Sequence, residues 1–293
     1  MPVYNVAPYL DAAFLSLRQQ TLTDYEVIVV NDGSTDNSQE VIDRYVKADN
    51  RIRCLHQSNQ GQSVARNSAL HEACGEYIYM MDSDDTIAPD LLQLCYDYAE
   101  QTQADFVFFD GDQMYEEGSQ RVAWNYKRSH LCEEHKAYDG ASLLKMMLVK
   151  RKHSCVVWLL FIRKSFLDGL QLTFYPGIIH EDELFTTVLT LSSRKIYCLQ
   201  QSLVQHRVRR QSTMGKHYSK RNVDCYLTVI DELLRYRQSD IIRQFARYTL
   251  SKVFYTAHQL TLKEKIPVFL RAVRSGYLKY IGWKSAMVFW LKQ

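Results

Sequence analysis

The chain has 293 residues, 46% of them hydrophobic and 24% charged, with a net charge of +3. That length suits one large domain, or a domain with a helical appendage, and the composition excludes a disordered or fibrous chain. No apolar stretch approaches a membrane span, and seven scattered cysteines without a Cys-x-x-Cys pair argue for a reduced, cytoplasmic protein rather than a disulfide framework or zinc site.

In chain order, a helix is predicted over Pro8–Gln20 and a β-branched strand over Tyr25–Asn31. A helix over Asp36–Lys47 follows the turn-and-cap sequence Gly33-Ser-Thr-Asp36. A strand at Arg51–His56 precedes a helix over Gln62–Ala73, stopped by Gly75. Then come a strand at Tyr77–Met81, a helix over Pro89–Thr102 and a strand at Ala104–Asp110. This alternation predicts an α/β fold with a parallel or mostly parallel sheet. After Gly111 the rhythm loosens: a hairpin over Met114–Lys127, a helix over Gly140–Lys150 and a strand over Val156–Ile162 are expected. A helix over Glu181–Leu191 and one or two strands over Lys195–Arg209 follow, with a helical pattern beyond Tyr218.

The most informative stretch is Tyr77-Ile-Tyr-Met-Met-Asp-Ser-Asp-Asp85, an apolar strand ending in three carboxylates. Unpaired acids cannot be buried, so Asp82, Asp84 and Asp85 belong at the strand's carboxyl end, where open α/β sheets bind ligands. A divalent cation among them relieves their repulsion, and hard oxygens suit Mg²⁺ or Mn²⁺ that also meets substrate phosphates. Asp32 after one strand and Gly61 and Arg66 around the next helix start belong at the same edge. Each fragment alone is weak: Asp-Gly-Ser-Thr-Asp is most often a turn and N-cap, and a lone helical Arg is usually solvated.

Four motifs in register decide the matter. Pro2-Val-Tyr-Asn-Val6, Val30-Asn-Asp-Gly-Ser-Thr-Asp-Asn-Ser38, Asn59-Gln-Gly61 with Ala65-Arg-Asn67, and Met81-Asp-Ser-Asp-Asp85 resemble glycosyltransferase family 2 over roughly the first 210 residues. The resemblance implies the GT-A fold, a nucleotide-binding sheet flanked by helices. It implies a catalytic domain over 1–212, with nucleotide-sugar binding in 1–110 and an acceptor part in 111–212. Residues 213–293 then form a helical extension. It further implies that Pro2, Tyr4 and Asp32 hold the nucleoside with Arg66 assisting, that Asp82 reaches ribose or the metal, and that Asp84 ligates the cation. Asp85 stays ambiguous between a further ligand and a helix cap.

His180-Glu-Asp-Glu-Leu-Phe185 resembles the family's Glu-Asp motif, which implies Asp182 as catalytic base and Glu181 as a support for the helix start or the acceptor. The bland reading is a solvated acidic helix N-terminus. His206-Arg-Val-Arg-Arg-Gln-Ser212 resembles a segment after the last strands: Arg207 and Arg209 are candidates for screening the diphosphate. His206 reads equally as a third metal ligand or a packed histidine, and Ser212 and Thr213 as part of a lid. Two departures stand out. Family members carry an apolar strand before Pro-x-Tyr-Asn, where this sequence opens at Met1-Pro2, so a start further upstream is expected. Many relatives read Trp-Asn-Lys where this chain has Trp158-Leu-Leu160, which leaves Trp158 as a possible acceptor contact and acceptor preference open.

The implied activity is inverting, metal-dependent transfer of a sugar from a nucleotide donor, UDP-linked, to a cell-surface glycan. The alternatives are a nucleotidyltransferase on a similar sheet and a non-catalytic nucleotide-sugar or glycan-binding protein. From Ile241 to Gln293 ten Lys or Arg residues face one acid, Glu264, a local charge of +9 over a body of −6. This aromatic-rich tail reads either as a helical cap or as a peripheral contact with the cytoplasmic face of a membrane, near a lipid-linked acceptor. Nothing resembles a nucleic-acid recognition module.

Overall fold

The computed structural model describes residues 1–119, 121–122, 125–209 and 218–292. The amino-terminal part alternates strand and helix: β1 (Pro2–Val3), α1 (Ala7–Arg18), β2 (Val27–Asp32), α2 (Ser38–Ala48), β3 (Ile52–Gln57) and α3 (Gln62–Glu72). β1, β2 and β3 pair in that order, all parallel, with Val30 opposite Pro2 and Leu55. Every residue of β2 is buried, as its continuous Val-Ile-Val-Val run requires of a strand covered on both faces.

A second sheet comprises β4 (Tyr77–Tyr79), β5 (Thr86–Ile87), β6 (Phe106–Tyr115), β7 (Leu160–Arg163) and β8 (Ile196–Val208), in the order β4-β7-β6-β8-β5. It is mixed, with β6 and β8 parallel and the other pairs antiparallel. The helices α4 (Leu91–Thr102), α5 (Gly140–Val149), α6 (Lys164–Leu170) and α7 (Glu181–Ser192) belong to this part. The expected strand over Val156–Ile162 is a 3₁₀ turn at Val157–Leu159 followed by β7. β5 and α6 have no periodic signal in the sequence, β5 because it has two residues and α6 because its seven residues make only about two turns.

Between the two sheets, β2 and β4 are separated by a cleft of about 740 Å³ lined by Val27, Ile28, Leu70, Tyr77, Ile78 and Tyr79. Met1 lines it as well, and its nitrogen donates to the Ile28 carbonyl oxygen at 2.7 Å.

The carboxyl-terminal part is helical as expected: α8 (Lys220–Tyr236), α9 (Asp240–Thr256), α10 (Leu262–Arg274) and α11 (Trp283–Leu291). Ser219 with Asn222 and Thr261 with Glu264 form capping boxes that start α8 and α10. These helices share one core with α5 and α7, in which Leu144, Leu148, Leu184 and Val188 meet Val223, Leu227, Ile242 and Phe245. The bundle is thus fastened to the helix that carries Glu181 and Asp182. α5 meets α7 at Gly140, where an added Cβ would lie 1.6 Å from the Thr190 carbonyl oxygen. Gly140→Ala must push two backbones apart, and we expect a loss of about 3 kcal/mol or more, measured as a lowered denaturation midpoint.

Candidate active site

The two amino-terminal motifs fold onto each other. Asn5, in the left-handed region at φ 50°, accepts from the Thr35 and Asp36 amides, and Asp36 accepts from Ala7 N and Ser38 N. Asn31 Oδ1 takes the Ser34 amide, closing the turn after β2. Gly33, at φ +71°, packs so closely that a Cβ would lie 2.8 Å from Asn59 N. Asp32, buried at the end of β2, accepts from Gln57 Nε2 and from the Gln60 and Gly61 amides at 2.7–2.8 Å. It builds the loop that starts α3. Pro2 lies in β1 beside Val30, and Tyr4, just after β1, is 48% exposed.

Arg66 on α3 is the hub. Its Nη1 donates to Glu181 Oε1 at 3.1 Å and Asp182 Oδ1 at 2.8 Å, and its Nη2 to Asp82 Oδ1 at 2.9 Å. The guanidinium lies over the Phe174 ring at 5.1 Å, and its buried Nε has no hydrogen-bond partner among the described residues. The fork that the sequence assigns to a base or phosphate is directed here at acids.

Three carboxylates share this one cation. Burial together with Glu181 and Asp82, against Arg66, pushes Asp182 up to about 7. Burial likewise raises Glu181 despite Arg66. The Asp182 side chain keeps 21% of its surface open, whereas that of Glu181 keeps 10%. Both carboxylates bond Arg66 Nη1, and Asp182 is the more open of the two. Behind them His153 Nε2 meets Glu183 Oε2 at 3.1 Å and holds that buried acid below its usual range.

The other cluster joins the acids after β4 to the end of β8. Asp84 Oδ2 forms an ion pair with Arg209 Nε at 2.7 Å, and its carbonyl oxygen accepts from Arg207 Nε at 3.0 Å. Burial raises the Asp84 pKa, opposed by Arg209 and reinforced by Asp82. Asp85, 1% exposed, is neither a helix cap nor open to solvent: it accepts from Arg207 N and meets His206 Nδ1 at 3.0 Å. Burial raises Asp85 to about 6, while the His206 pKa is raised by Asp85 against the desolvation of the ring. Both arginines lie 5.2 Å over the ring of Tyr9 on α1, a site residue the sequence did not announce.

Two expectations need correction. Trp158 is 3% exposed, stacked on His206 at 4.9 Å and edge-on to Tyr126, so it is a core wall rather than an acceptor contact. Leu159 and Leu160 continue that core, which is why apolar residues suit these positions. The set Asp82, Asp84 and His206 is not gathered: His206 Nδ1 is held by Asp85, and among the described residues no three His, Cys, Asp or Glu side chains form a metal site. Ser212 and Thr213 lie outside the described residues.

Asp82 and Asp84 are the carboxylates whose hard oxygens would suit a divalent cation, and the raised pKa of Asp84, to which Asp82 contributes, marks the negative charge such an ion would offset.

The profile of glycosyl transferase family 2 matches residues 1–167. The chain belongs to that family. It is 29% identical over 217 residues to an uncharacterized glycosyltransferase of Escherichia coli (strain K12), YibD, a match covering 74% of this chain and 62% of YibD. The chain thus spans under two thirds of that relative. The fold is that of S. aureus TarS, solved with UDP-GlcNAc, at TM-score 0.73 and 19% identity, covering 98% of this chain and 82% of the other. The mannosyltransferase PcManGT of Pyrobaculum calidifontis, solved with GDP-Man and Mn²⁺, aligns at TM-score 0.58 and 16% identity, covering 100% and 86%. The family chain therefore has the GT-A architecture and a helical carboxyl-terminal part.

Proposed function

We propose that the protein is an inverting glycosyltransferase that moves a sugar from a nucleotide-sugar donor, UDP-linked, to a hydroxyl of a cell-surface glycan. The observation that carries this reading is Asp182: a partly open carboxylate at the start of α7, raised to about 7 and oriented by Arg66. Such a group takes a proton at neutral pH. In the transfer, the acceptor oxygen bonds to the anomeric carbon as the bond from that carbon to the diphosphate breaks. The electron pair leaves with the nucleoside diphosphate, and the hydroxyl proton passes to Asp182.

Pro2, Tyr4 and the Asp32 loop are assigned to the nucleoside, and Asp82 to ribose or metal. Mg²⁺ or Mn²⁺ on Asp84 and Asp82, when bound, neutralises diphosphate charge. Arg207 and Arg209, poised above Tyr9, are assigned to the same phosphates. The co-structures of similar fold with UDP-GlcNAc and with GDP-Man and Mn²⁺ support a nucleotide-sugar donor and a divalent cation. Arg66 acts through Asp182 and Asp82 as a positioning residue.

A screen of UDP-sugars with Mn²⁺ and glycan acceptors is expected to release UDP for at least one donor–acceptor pair. Pyrophosphate release would indicate nucleotidyl transfer instead. Saturable UDP binding with no turnover for any pair would indicate a binding protein.

A further inference from the structure

The carboxyl-terminal bundle has two differently made faces. Inward, Phe269, Tyr277, Tyr280 and Phe289 pack into the core shared with α7 and α9, so the tail does cap the body. Outward, α10 exposes Leu262 (63%), Ile266, Leu270 and Val273, a stripe at helical spacing. α11 exposes Trp283 (68%), Met287, Trp290 and Leu291 in the same way. The stripes adjoin: the Trp290 ring meets Phe269 of α10 at 5.3 Å, and Phe269 stands one helical turn from both Ile266 and Val273. Most of the large exposed apolar side chains of the described protein lie in these last thirty residues.

Charge identifies what covers this face. Lys263, Arg274, Lys279, Lys284 and Lys292 are exposed around it, and no ion pair engages them among the described residues. Lys279 and Lys284 lie over the rings of Tyr280 and Trp283. Arg271, by contrast, is tied down by Asp231 and Asp224. A second copy docked on the same face would bring these cations against one another, whereas an anionic lipid surface satisfies cations and apolar groups together. No helix among the described residues is long and apolar enough to cross a membrane.

We propose that the α10–α11 face docks flat on an anionic membrane surface, with Trp283, Met287, Trp290 and the α10 stripe at the acyl boundary and the surrounding lysines on lipid headgroups. The inference is independent of the transfer chemistry. It gives α7, through the shared core, a fixed relation to the bilayer.

The test is co-sedimentation of the full chain with phosphatidylcholine vesicles, with and without phosphatidylglycerol. About tenfold more protein is expected to sediment with the anionic vesicles at low salt, falling as ionic strength rises. Trp283→Ser with Leu270→Ser, and separately Lys279→Glu with Lys284→Glu, are expected to abolish binding while leaving the thermal midpoint unchanged. All four positions are exposed, and the two pairs remove different parts of the surface. Equal sedimentation with both vesicle types, or no binding, overturns the proposal. So does a dimer by light scattering that the Trp283/Leu270 pair converts to monomer, since it assigns the face to a second copy.

Discussion

Replacing Asp182 with Asn is expected to lower turnover by about 10²- to 10⁴-fold, the usual worth of a general base, while raising the thermal midpoint at pH 8. The gain follows from the charge balance around Arg66. Asp82, Glu181 and Asp182 converge on one guanidinium, and burial raises Asp182 from 3.8 to about 7. A carboxyl whose folded pKa lies above its unfolded value binds more protons in the native state, so its contribution is complete below pH 4. That contribution is lost as pH rises through about 7. Ionising it costs on the order of 4 kcal/mol at most, less for the share of the side chain that water reaches.

Asn keeps an oxygen for Arg66 Nη1 and removes that charge, leaving the guanidinium two carboxylates. Calorimetric melts of both proteins from pH 5 to 8 read the effect directly: the wild-type midpoint falls over this range and the variant's falls less. The same titration gives kcat/KM of the wild type a rising limb with its inflection near pH 7. Donor affinity should stay within about threefold, because the role assigned to Asp182 is toward the acceptor. Full turnover by a folded Asp182→Asn protein would remove the base assignment. A variant melting at or below the wild type at pH 8 would contradict the strained-carboxylate account.

Most of the alternating half of this fold is legible in local patterns. The Val27–Val30 run, the helix expected over Asp36–Lys47 and found at Ser38–Ala48, and the strand that starts at Tyr77 all announce themselves by period and flanking turns. Beyond Gly111 it is less so, since β8 is one 13-residue strand whose partners, β6 and β5, are set by tertiary pairing. The site shows the same divide. Acids at strand ends and helix starts reveal which groups carry chemistry, but not how they are paired. Arg66 reads as a ligand contact until its three carboxylates are seen, and Tyr9 carries no signal before Arg207 and Arg209 close over it. Trp158 illustrates the opposite error. A conspicuous aromatic beside a motif is more often wall than contact, and here the ring supports His206.

Replacing Asp84 with Ala is expected to erase the dependence of nucleotide binding on a divalent cation. In the structure Asp84 is buried beside Asp82, its pKa raised by both, and Arg209 is the positive group on its carboxylate. A divalent ion brings two charges where Arg209 brings one, and it can hold phosphate oxygens as well. By calorimetry, UDP should bind the wild type at least about tenfold more tightly with Mn²⁺ than with EDTA, since a bridged diphosphate gains well over 1.4 kcal/mol. For Asp84→Ala the two affinities should coincide, and transfer should be lost. Arg209→Ala separates the cation's role from that of the arginine. It leaves Asp84 without its counter-charge, so Mn²⁺ alone should bind this variant more tightly than wild type, while UDP loses the contribution of one phosphate contact. If instead Mn²⁺ does not tighten UDP binding in the wild type, Arg207 and Arg209 carry the diphosphate alone. Asp84 then serves to hold Arg209 in place, and Arg209→Ala becomes the more damaging of the two substitutions.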